Sequence, residues 1–418
     1  MSPLSVCVIG AGAAGLCAAR HLAARPDKFS FQVFELTAKV GGTWVYTERI
    51  GMDENGQAVH SSMYKNLRTN IPKEIMAYLD YPFPESNESY IHHSEVLKYL
   101  ENYAKDFDLY QYIKFQTVVK LVTPKITEGG RTGWSVTVQN LNTLEETTSI
   151  FDSVMVCNGH YAVPNIPDIL DIEAFQGRVL HSHDYRQPDG FEGTKIAVFG
   201  AASSGLDITL ELADVADEIY LCHSLAEPVV SKLPQNVKQR KSIKSALSDG
   251  FVLQDGTSIQ AEVLMYCTGY KFNFPFLTPE CGITVQGRRV QPVYKHLIHI
   301  EHPSMCFVGI PFIVLPFPVF DHQVQFFLST LDGSLELPSK NDMYQDAAND
   351  FQRRLEMQMP PRYAHKLGAL QWEYMRDLGG QIGISPLPAF IKEYYDMNSY
   401  RRKHHIVEYK DDVYRSPK

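Results

Sequence analysis

The sequence predicts an α/β protein in which one βαβ unit is inserted into another. Two glycine-rich turns carry this prediction, one at residues 10–15 and one at residues 200–205. Each turn follows a short apolar run and precedes a stretch with helical spacing. This strand–turn–helix order is typical of a βαβ unit that binds a dinucleotide. With 418 residues, the chain is long enough for two or three domains, and we expect two nucleotide-binding Rossmann-like domains.

The first turn follows a predicted strand at 5–9 and leads into a predicted helix at 16–24. Its glycines meet three needs of a pyrophosphate site: a tight bend, close approach of the main chain to the phosphates, and close packing of helix on strand. A second predicted strand, 31–35, ends in Glu35, where a carboxylate can bind the hydroxyl groups of a ribose. The residues that we expect to bind the first nucleotide here are Gly10, Ala11, Gly12, Ala13, Ala14, Gly15 and Glu35.

The chain between the two turns predicts loops, a helix and an antiparallel meander. Residues 36–90 are rich in Asn, Pro and Tyr, which favour loops, and residues 94–107 carry apolar side chains at helical spacing. Alternating apolar and polar residues at 114–122 and 133–139 predict the meander, with its turn at residues 128–131.

The second turn follows a predicted strand at 195–199 and leads into a predicted helix at 206–213. Its middle glycine position carries Ala202, whose methyl group is tolerable if the phosphate approaches less closely. Residues 223–224 (His-Ser) follow the next predicted strand, so no acid stands there to repel a 2′-phosphate, and NADP is allowed. The expected second-nucleotide residues are Ala202, Ser203, Ser204 and Gly205. Positive partners for the 2′-phosphate could be His223, Lys232, Lys238, Arg240 or Lys241; a solvated loop is the alternative role for the lysines.

The second βαβ unit interrupts the first. A strand pattern returns after Pro303, at 305–308, and the rest of the chain is mostly helical. We expect a discontinuous FAD-binding domain at residues 1–172 and 296–418, with an NADP-binding domain inserted at residues 173–295.

Composition narrows the class of protein. The net charge is −9, from 39 Lys and Arg against 48 Asp and Glu, which argues against a nucleic-acid binder because such proteins need a basic face. The seven cysteines are odd in number and include no Cys-x-x-Cys, so we expect neither a disulfide framework nor a dithiol redox centre. The histidine pairs lack the cysteine or carboxylate company of a metal site, and we expect no metal.

No apolar run reaches the ~20 residues that a membrane helix needs. No basic segment precedes the first apolar run, which enters the glycine turn directly. We therefore expect a soluble, cytoplasmic protein without a transmembrane segment; secretion is the alternative if a leader has been removed.

A further motif lies between the two turns. Residues 175–185 read Phe-Gln-Gly-Arg-Val-Leu-His-Ser-His-Asp-Tyr and fit the string F-x-G-x-x-x-H-x-x-x-Y/F. With both turns, this string makes the chain resemble the flavin-containing monooxygenases, the class B flavoproteins. Baeyer–Villiger relatives usually carry Trp at the last position, so Tyr185 points to the heteroatom-oxidising branch. The chain is similar to compact soluble members, including insect enzymes that N-oxygenate plant alkaloids, and this implies a role in detoxification.

Other segments extend the resemblance. Residues 41–44 (Gly-Gly-Thr-Trp) are similar to the family's flavin-contacting loop, and residues 64–74 to its active-site segment. Asp321-x-Gln323 also matches. The resemblance implies that Asn70 is the catalytic residue. It further implies cofactor contacts at Gly42, Thr43, Trp44, Thr69, Asn70, Ile71 and Gln323.

The resemblance implies FAD and NADPH as cofactors, with molecular oxygen and a small-molecule amine or sulfide as partners, and a homodimer. NADPH would reduce FAD, and the reduced flavin would bind oxygen as a C4a-hydroperoxide whose outer oxygen passes to nitrogen or sulfur, giving an N-oxide or S-oxide. Retained NADP would shield that adduct from water. The alternatives are an NADPH oxidase or flavoprotein reductase that releases hydrogen peroxide, and a non-enzymatic flavoprotein that senses redox state.

Two side chains have competing interpretations. The Asn70 amide can donate and accept hydrogen bonds, so it could position oxygen or nicotinamide without taking a proton; its alternative role is to cap a loop. His181 could act as a general base, but we expect it to pack the linker between the domains.

Overall fold

The computed structural model describes residues 2–126 and 132–415. The turn expected at 128–131 lies outside the described residues. The strands in the first part of the chain are β1 (Leu4–Ile9), β2 (Phe29–Phe34), β3 (Ile113–Lys114), β4 (Thr117–Ile126), β5 (Thr132–Asn140), β6 (Glu146–Phe151), β7 (Ser153–Val156), β8 (Val163–Pro164) and β9 (Arg178–His181). The later strands are β10 (Lys195–Phe199), β11 (Glu218–His223), β12 (Val237–Lys241), β13 (Ile243–Leu247), β14 (Gly250–Leu253), β15 (Ser258–Gln260), β16 (Val263–Tyr266), β17 (Tyr270–Lys271), β18 (Thr284–Gln286), β19 (Arg289–Gln291), β20 (Val293–Tyr294), β21 (Ile298–His299) and β22 (Met305–Phe307).

Helices connect and cover these strands. They are α1 (Ala13–Ala23), α2 (Lys73–Met76), α3 (His93–Asp106), α4 (Ser203–Leu212), α5 (Pro316–Leu331), α6 (Lys340–Glu356), α7 (Gln371–Ile382) and α8 (Ala389–His404). Short 3-10 helices lie at Gly42–Trp44, Leu109–Tyr112, Ile172–Ala174, Pro279–Cys281, Pro361–Tyr363, Gly368–Leu370 and Tyr409–Asp411. Among the described residues, no helix combines the length and apolar character needed to cross a membrane.

The first large sheet has the strand order β20-β21-β22-β7-β1-β2-β3. Strand β1 lies inside it, parallel to β2 on one side and to β7 on the other. Its residues are almost continuously apolar and buried, as expected for a strand covered on both faces. Helices α1, α3 and α5 share one apolar core with this sheet.

The second large sheet has the order β12-β11-β10-β16-β9, and its strands run parallel. Strand β10 is placed as β1 is in the first sheet, between the next strand of its βαβ unit and a later strand. The second sheet uses residues between 178 and 266, whereas the first resumes at Val293. The structure therefore has the α/β class and the two Rossmann-like units that the glycine turns predict, and the expected antiparallel meander is formed by β4, β5 and β6.

Residues 389–415 contact both units. Helix α8 and the segment that follows it pack Ile406, Tyr409 and Tyr414 into a small core with Tyr90, against which Leu206 of α4 also packs. This C-terminal segment, residues 389–415, therefore contacts the loop region of the first unit and the nucleotide-turn helix of the second.

All seven cysteines are buried and unpaired. Burial raises the pKa of each thiol, for example to about 12 at Cys222 and Cys267. They act as small core residues, as their apolar sequence surroundings predict.

Candidate functional site

The first glycine turn joins β1 to α1. Gly10 has φ +100°, and a side chain there would press against the Cys157 carbonyl oxygen at 2.7 Å. A Cβ added to Gly15 would overlap the Gly10 carbonyl oxygen, so only glycine lets the helix lie this close to the strand. The helical ladder begins where the Leu16 amide donates to the Gly12 carbonyl over 2.9 Å. The amides of the first helical turn therefore have no helical acceptor and can bind phosphate oxygens.

Glu35 lies beside this turn, immediately after β2. Its side chain is buried, and one carboxylate oxygen accepts a hydrogen bond from the Ala11 amide over 2.7 Å. The other oxygen accepts from the amide and hydroxyl of Thr37, over 2.8 and 2.7 Å. Burial raises the pKa of Glu35 above its usual range, although these hydrogen bonds oppose that effect. Glu35 therefore lies beside the first glycine turn, where a carboxylate can bind the ribose of a bound nucleotide.

The loop that contains Gly42, Thr43 and Trp44 lies against the first glycine turn. The Gly41 amide donates to the Ala11 carbonyl over 3.0 Å. A Cβ added to Gly42 would stand only 2.9 Å from a main-chain carbon of the turn. Trp44 is half-buried and packs against the first core. Residues that are about thirty positions apart in sequence therefore form one continuous surface.

Thr69, Asn70 and Ile71 lie in an irregular segment that is fixed through its main chain. The Thr69 amide donates to the Ile91 carbonyl over 2.8 Å, and the Asn70 carbonyl accepts from the Asn398 side chain over 3.2 Å. The buried Thr69 hydroxyl has no hydrogen-bond partner within residues 2–126 and 132–415. Within those same residues the Asn70 side chain also forms no hydrogen bond, so both polar groups can contact a ligand. Ile71 is half-buried against the first core.

Gln323 has a different environment from the other expected cofactor residues. It is fully buried in α5, where its side-chain oxygen accepts from the Gly309 amide over 2.9 Å. Its side-chain nitrogen donates to the Tyr374 hydroxyl over 2.8 Å, and that hydroxyl donates to the Lys295 carbonyl. The oxygen and the nitrogen of the Gln323 amide are thus both bonded to other protein groups. This favours a role in supporting neighbouring segments over direct contact with a cofactor.

The second glycine turn repeats the geometry of the first. Gly200 has φ +118°, and a Cβ there would overlap the Cys267 carbonyl oxygen, as one at Gly10 would press on Cys157. A Cβ added to Gly205 would overlap the Gly200 carbonyl oxygen. The ladder of α4 begins with the Leu206 amide donating over 3.0 Å to the carbonyl four residues earlier. The structure therefore offers a second set of free amides, those of Ser203, Ser204 and Gly205.

The change from glycine to alanine at the middle position of the second turn has a structural reason. Gly12 and Ala202 have similar backbones, with φ −74° and ψ −172° against φ −84° and ψ −165°. A Cβ at Gly12 would stand 3.4 Å from Gly42, because the 41–44 loop packs there. Ala202 is exposed, so its methyl group has room.

The positive candidates for a 2′-phosphate are not equally available. His223 is buried and bonds to Gln239, Lys238 pairs with Glu218, and the Arg240 guanidinium lies 5.7 Å from the centre of the Tyr220 ring. Lys232, Lys238 and Lys241 are all exposed, and of these three only Lys238 forms an ion pair within the described residues. Lys241 lies opposite His223 in the sheet register.

Comparison with known proteins identifies the family of this chain. A family model described as flavin-binding monooxygenase-like matches residues 4–236 and 228–392. The chain belongs to this family.

Relatives of this monooxygenase are similar along nearly its whole length. Flavin-containing monooxygenase FMO GS-OX5 of Arabidopsis thaliana is 39% identical over 404 residues, covering 92% of this chain and 86% of the relative. The structure of S-allyl-L-cysteine S-oxygenase from Allium sativum has a TM-score of 0.91 and 34% identity, and covers 99% of this chain and 97% of that one. Tmm from Pelagibacter sp. strain HTCC7211 has a TM-score of 0.88 and 25% identity, and covers 99% and 94%.

Family membership confirms the resemblance that the motifs carry. The protein is an enzyme of the monooxygenase type in a flavin-binding family, and such enzymes take molecular oxygen and a small-molecule substrate. The narrower likeness to insect enzymes that act on alkaloids, and the role in detoxification, stay predictions.

The 175–185 motif of this monooxygenase lies in the second unit and contacts the first, since the His183 Nε2 bonds to the Val59 carbonyl over 2.9 Å. His181 is buried, its Nδ1 accepts from the His183 amide over 3.0 Å, and its Nε2 donates to the Gly269 carbonyl over 3.1 Å. Burial lowers the pKa of His181 to about 4. Tyr185 donates to Glu211 of α4 over 2.9 Å. A neutral imidazole with both nitrogens in use favours the packing role over that of a general base.

Arg186, immediately after this motif, is a residue that the sequence analysis missed. Its buried guanidinium donates to five main-chain carbonyls, those of Thr47, Arg49, Ser61, His183 and Tyr185. It thereby fixes the 47–61 loop to the linker between the units. The sequence carries no local signal for this, because an arginine in a polar segment usually faces solvent.

The C-terminal segment adds two further residues to the site. Asn398 accepts from the Tyr90 hydroxyl over 2.6 Å and donates to the Asn70 carbonyl. Four residues later, Arg402 donates to the Ser203 hydroxyl over 2.6 Å. The sequence did not predict either residue as part of the site, because no spacing rule links residues near 400 to the glycine turns.

One buried group has the donor types of a metal site: Cys17, His21 and Asp321 offer ligand atoms within 4.8 Å of one another. The His21 Nε2 and an Asp321 carboxylate oxygen are 2.7 Å apart, and Gln325 donates to the other oxygen over 2.8 Å. Although burial opposes ionisation, the bond to His21 keeps the pKa of Asp321 below its usual range. This hydrogen-bonded pair between α1 and α5 accounts for the cluster.

A cavity of about 530 Å³ lies away from the glycine turns, between β19–β20 and helices α6 and α7. His296, Arg354 and His365 line it and bond to one another, with 2.9 Å between the two histidines. None of the expected cofactor residues lines this cavity.

Proposed function

We propose that this chain is an FAD- and NADPH-dependent monooxygenase that transfers one oxygen atom to a soft nucleophilic sulfur or nitrogen, giving an S-oxide or N-oxide. The observation that carries the proposal is the repetition of one phosphate-binding geometry at two turns of a flavin-binding monooxygenase chain. Two dinucleotides are what such a reaction needs, because one delivers reducing equivalents and the other activates oxygen.

The residues present fit FAD at the first turn. The free amides of residues 12–15 would hold its diphosphate and Glu35 would hold its ribose. Gly42, Thr43 and Trp44, together with the unpartnered Thr69 hydroxyl, would contact the part of FAD that extends beyond the diphosphate. Bound and reduced, FAD would supply the activated oxygen.

The second turn fits NADPH. The amides of Ser203, Ser204 and Gly205 would hold its diphosphate, and exposed Lys232 and Lys241 are the partners we propose for its 2′-phosphate. We keep the division into a FAD-binding domain, residues 1–172 and 296–418, and an NADP-binding domain, 173–295. A homodimer is the oligomeric state we propose.

The chain's own contribution to the chemistry would be positioning rather than proton transfer. Asn70 has its main chain held by Asn398, which leaves its side-chain amide available to a ligand in an orientation set by the protein. We propose that this amide positions oxygen or nicotinamide. His181 would not exchange protons, since its two nitrogens are bonded to the main chain.

We favour a thioether as the substrate class, with a tertiary amine as the second choice. The support is the overall similarity to S-allyl-L-cysteine S-oxygenase from Allium sativum, at a TM-score of 0.91 over 99% of this chain. Alkaloids and other foreign amines are the N-oxide substrates that the sequence resemblance implies.

The test uses purified protein loaded with FAD and supplied with NADPH. Thioethers, including S-allyl-L-cysteine, and tertiary amines are added in turn, and oxide product and hydrogen peroxide are measured per NADPH consumed. We expect oxide to form and peroxide to fall when a thioether is present. Peroxide that stays stoichiometric with NADPH for every compound would instead make the protein an NADPH oxidase. Protein that does not take up FAD would end the proposal.

A further inference from the structure

Helix α8 brings a positive charge to the second glycine turn from a distant part of the chain. Arg402 donates to the hydroxyl of Ser203, the first residue of α4, over 2.6 Å. Asn398, one helical turn earlier on the same face of α8, is tied to Asn70 and Tyr90. The helix is therefore held at both points, and the Arg402 guanidinium has a defined position at the turn.

Unlike Arg401 and Lys410, Arg402 has no acidic partner in the part of the chain that the structure describes. Arg401 forms a two-point ion pair with Asp412, at 2.6 and 2.8 Å, and Lys410 pairs with Asp207 at 2.7 Å. Within the described part of the chain, no carboxylate oxygen lies within 4.0 Å of the Arg402 guanidinium, and the first turn of α4 carries no acidic residue. The Arg402 guanidinium therefore forms no ion pair with these residues.

Two helix ends act on the Arg402 charge: the carboxyl end of α8, in whose last turn it lies, favours a cation, and the amino end of α4 disfavours one. The amino end of a helix carries a partial positive charge, so a half-buried guanidinium beside it is repelled. An anion between the helix amides and the guanidinium removes that repulsion and gains charge-assisted hydrogen bonds from both sides. A guanidinium has five N–H groups, and Arg402 uses one of them to donate to Ser203. The others can donate to an anion.

We propose that Arg402 binds the diphosphate of the nicotinamide nucleotide; the inference rests on the proposed function. Ser203 is the residue that matches Ala13 of the first turn, where free helix amides would face the diphosphate of a bound nucleotide. The 2′-phosphate belongs at the other end of the adenosine, beyond β11, where His223 ends the strand. Arg402 therefore strengthens binding of NADPH and NADH alike and does not distinguish them.

The experiment measures the dissociation constants of NADP⁺, NAD⁺ and adenosine 2′-monophosphate for the FAD-loaded enzyme by titration calorimetry. In Arg402→Gln we expect NADP⁺ and NAD⁺ to bind about tenfold or more weakly, by the same factor, since each loses a charge-assisted contact. Adenosine 2′-monophosphate, which has no diphosphate, should bind as it does to the unchanged enzyme. Arg401→Gln is the matched control, because its guanidinium is taken by Asp412; it should leave all three constants unchanged.

Unchanged NADP⁺ affinity in Arg402→Gln would overturn the inference, and so would a loss confined to NADP⁺, which would put the guanidinium on the 2′-phosphate. If Arg402→Gln does not retain FAD, Arg402→Lys is used instead. We expect it to weaken the binding of NADP⁺ and NAD⁺ by one common factor that is smaller than in Arg402→Gln. If the enzyme without any substitution binds neither NADP⁺ nor NAD⁺, the proposed function fails together with this inference. If it binds both nucleotides and Arg402→Gln binds them equally well, only this inference fails.

Discussion

The Asn398 side chain donates a hydrogen bond to the main-chain carbonyl of Asn70 over 3.2 Å, across 328 positions of sequence. Its oxygen in turn accepts from the Tyr90 hydroxyl over 2.6 Å. The C-terminal helix thus holds the backbone of the candidate catalytic residue while the side chain of that residue stays open to ligands.

Replacing Asn70 with alanine should separate flavin reduction from oxygen transfer. We expect Asn70→Ala to bind FAD and to consume NADPH, but to form oxide product roughly 10²-fold more slowly, because a preorganised hydrogen-bonding group is lost. Product and peroxide per NADPH are the measurements. Asn66→Ala is the control: Asn66 lies in the same segment, is exposed and donates to Glu211. Equal product yields from the two variants would remove Asn70 from the mechanism.

Alanine at the last glycine of each turn should affect one nucleotide at a time. A Cβ at Gly15 or Gly205 would overlap a main-chain carbonyl oxygen of its own turn. We expect Gly15→Ala to lose FAD, and Gly205→Ala to keep FAD while NADPH no longer reduces it. Absorbance of the bound flavin before and after NADPH addition distinguishes these results.

The matching control for the two glycine variants is Gly380→Ala. Gly380 is exposed in helix α7, and a Cβ there has open space around it. This variant should be fully active and more stable by about 0.5–1 kcal/mol, since alanine loses less backbone entropy than glycine in a helix. FAD retention by Gly15→Ala would show that the turn tolerates a shift.

FAD affinity should fall as the pH falls. Burial raises the pKa of Glu35, so its carboxylate takes up a proton at a higher pH than a free glutamate does. Ribose hydroxyls donate to the ionised form, and binding is therefore strong above the raised pKa and is lost as the pH falls through it. Flavin fluorescence on release, followed from neutral to acidic pH, reports this. Glu35→Gln should bind FAD weakly and without that pH dependence, whereas Glu54→Gln, at an exposed position, should behave as the unchanged protein.

Gln323→Leu should weaken the fold more than it weakens cofactor contact. It leaves the buried Gly309 amide without its acceptor and the Tyr374 hydroxyl without its donor. We expect the free energy of unfolding of the FAD-free protein to drop by about 1–3 kcal/mol in urea titration. Gln345→Leu, on an exposed face of α6, should stay within about 0.5 kcal/mol. Unchanged stability with weaker FAD binding would instead favour a direct contact by Gln323.

Short-range patterns allowed much of the fold to be predicted. The position of Glu35 follows from the length of one βαβ unit, so the sequence alone predicts that it lies at the first glycine turn, where it bonds to the Ala11 amide. The contact between Arg402 and Ser203 has no such basis, because 199 positions separate the two residues and only the path of the folded chain joins them. The Gln323 contacts are similar: the match Asp321-x-Gln323 identified the residue, but not that its amide would be used internally.

The buried cysteines have a consequence for the durability of the enzyme. Hydrogen peroxide attacks thiolates, and burial holds all seven thiols protonated and away from water. Hydrogen peroxide in solution therefore meets no exposed thiol on the folded protein. Oxidation of cysteine should therefore not limit the lifetime of the protein, and we expect storage in air to cost no more activity without an added thiol reductant than with one.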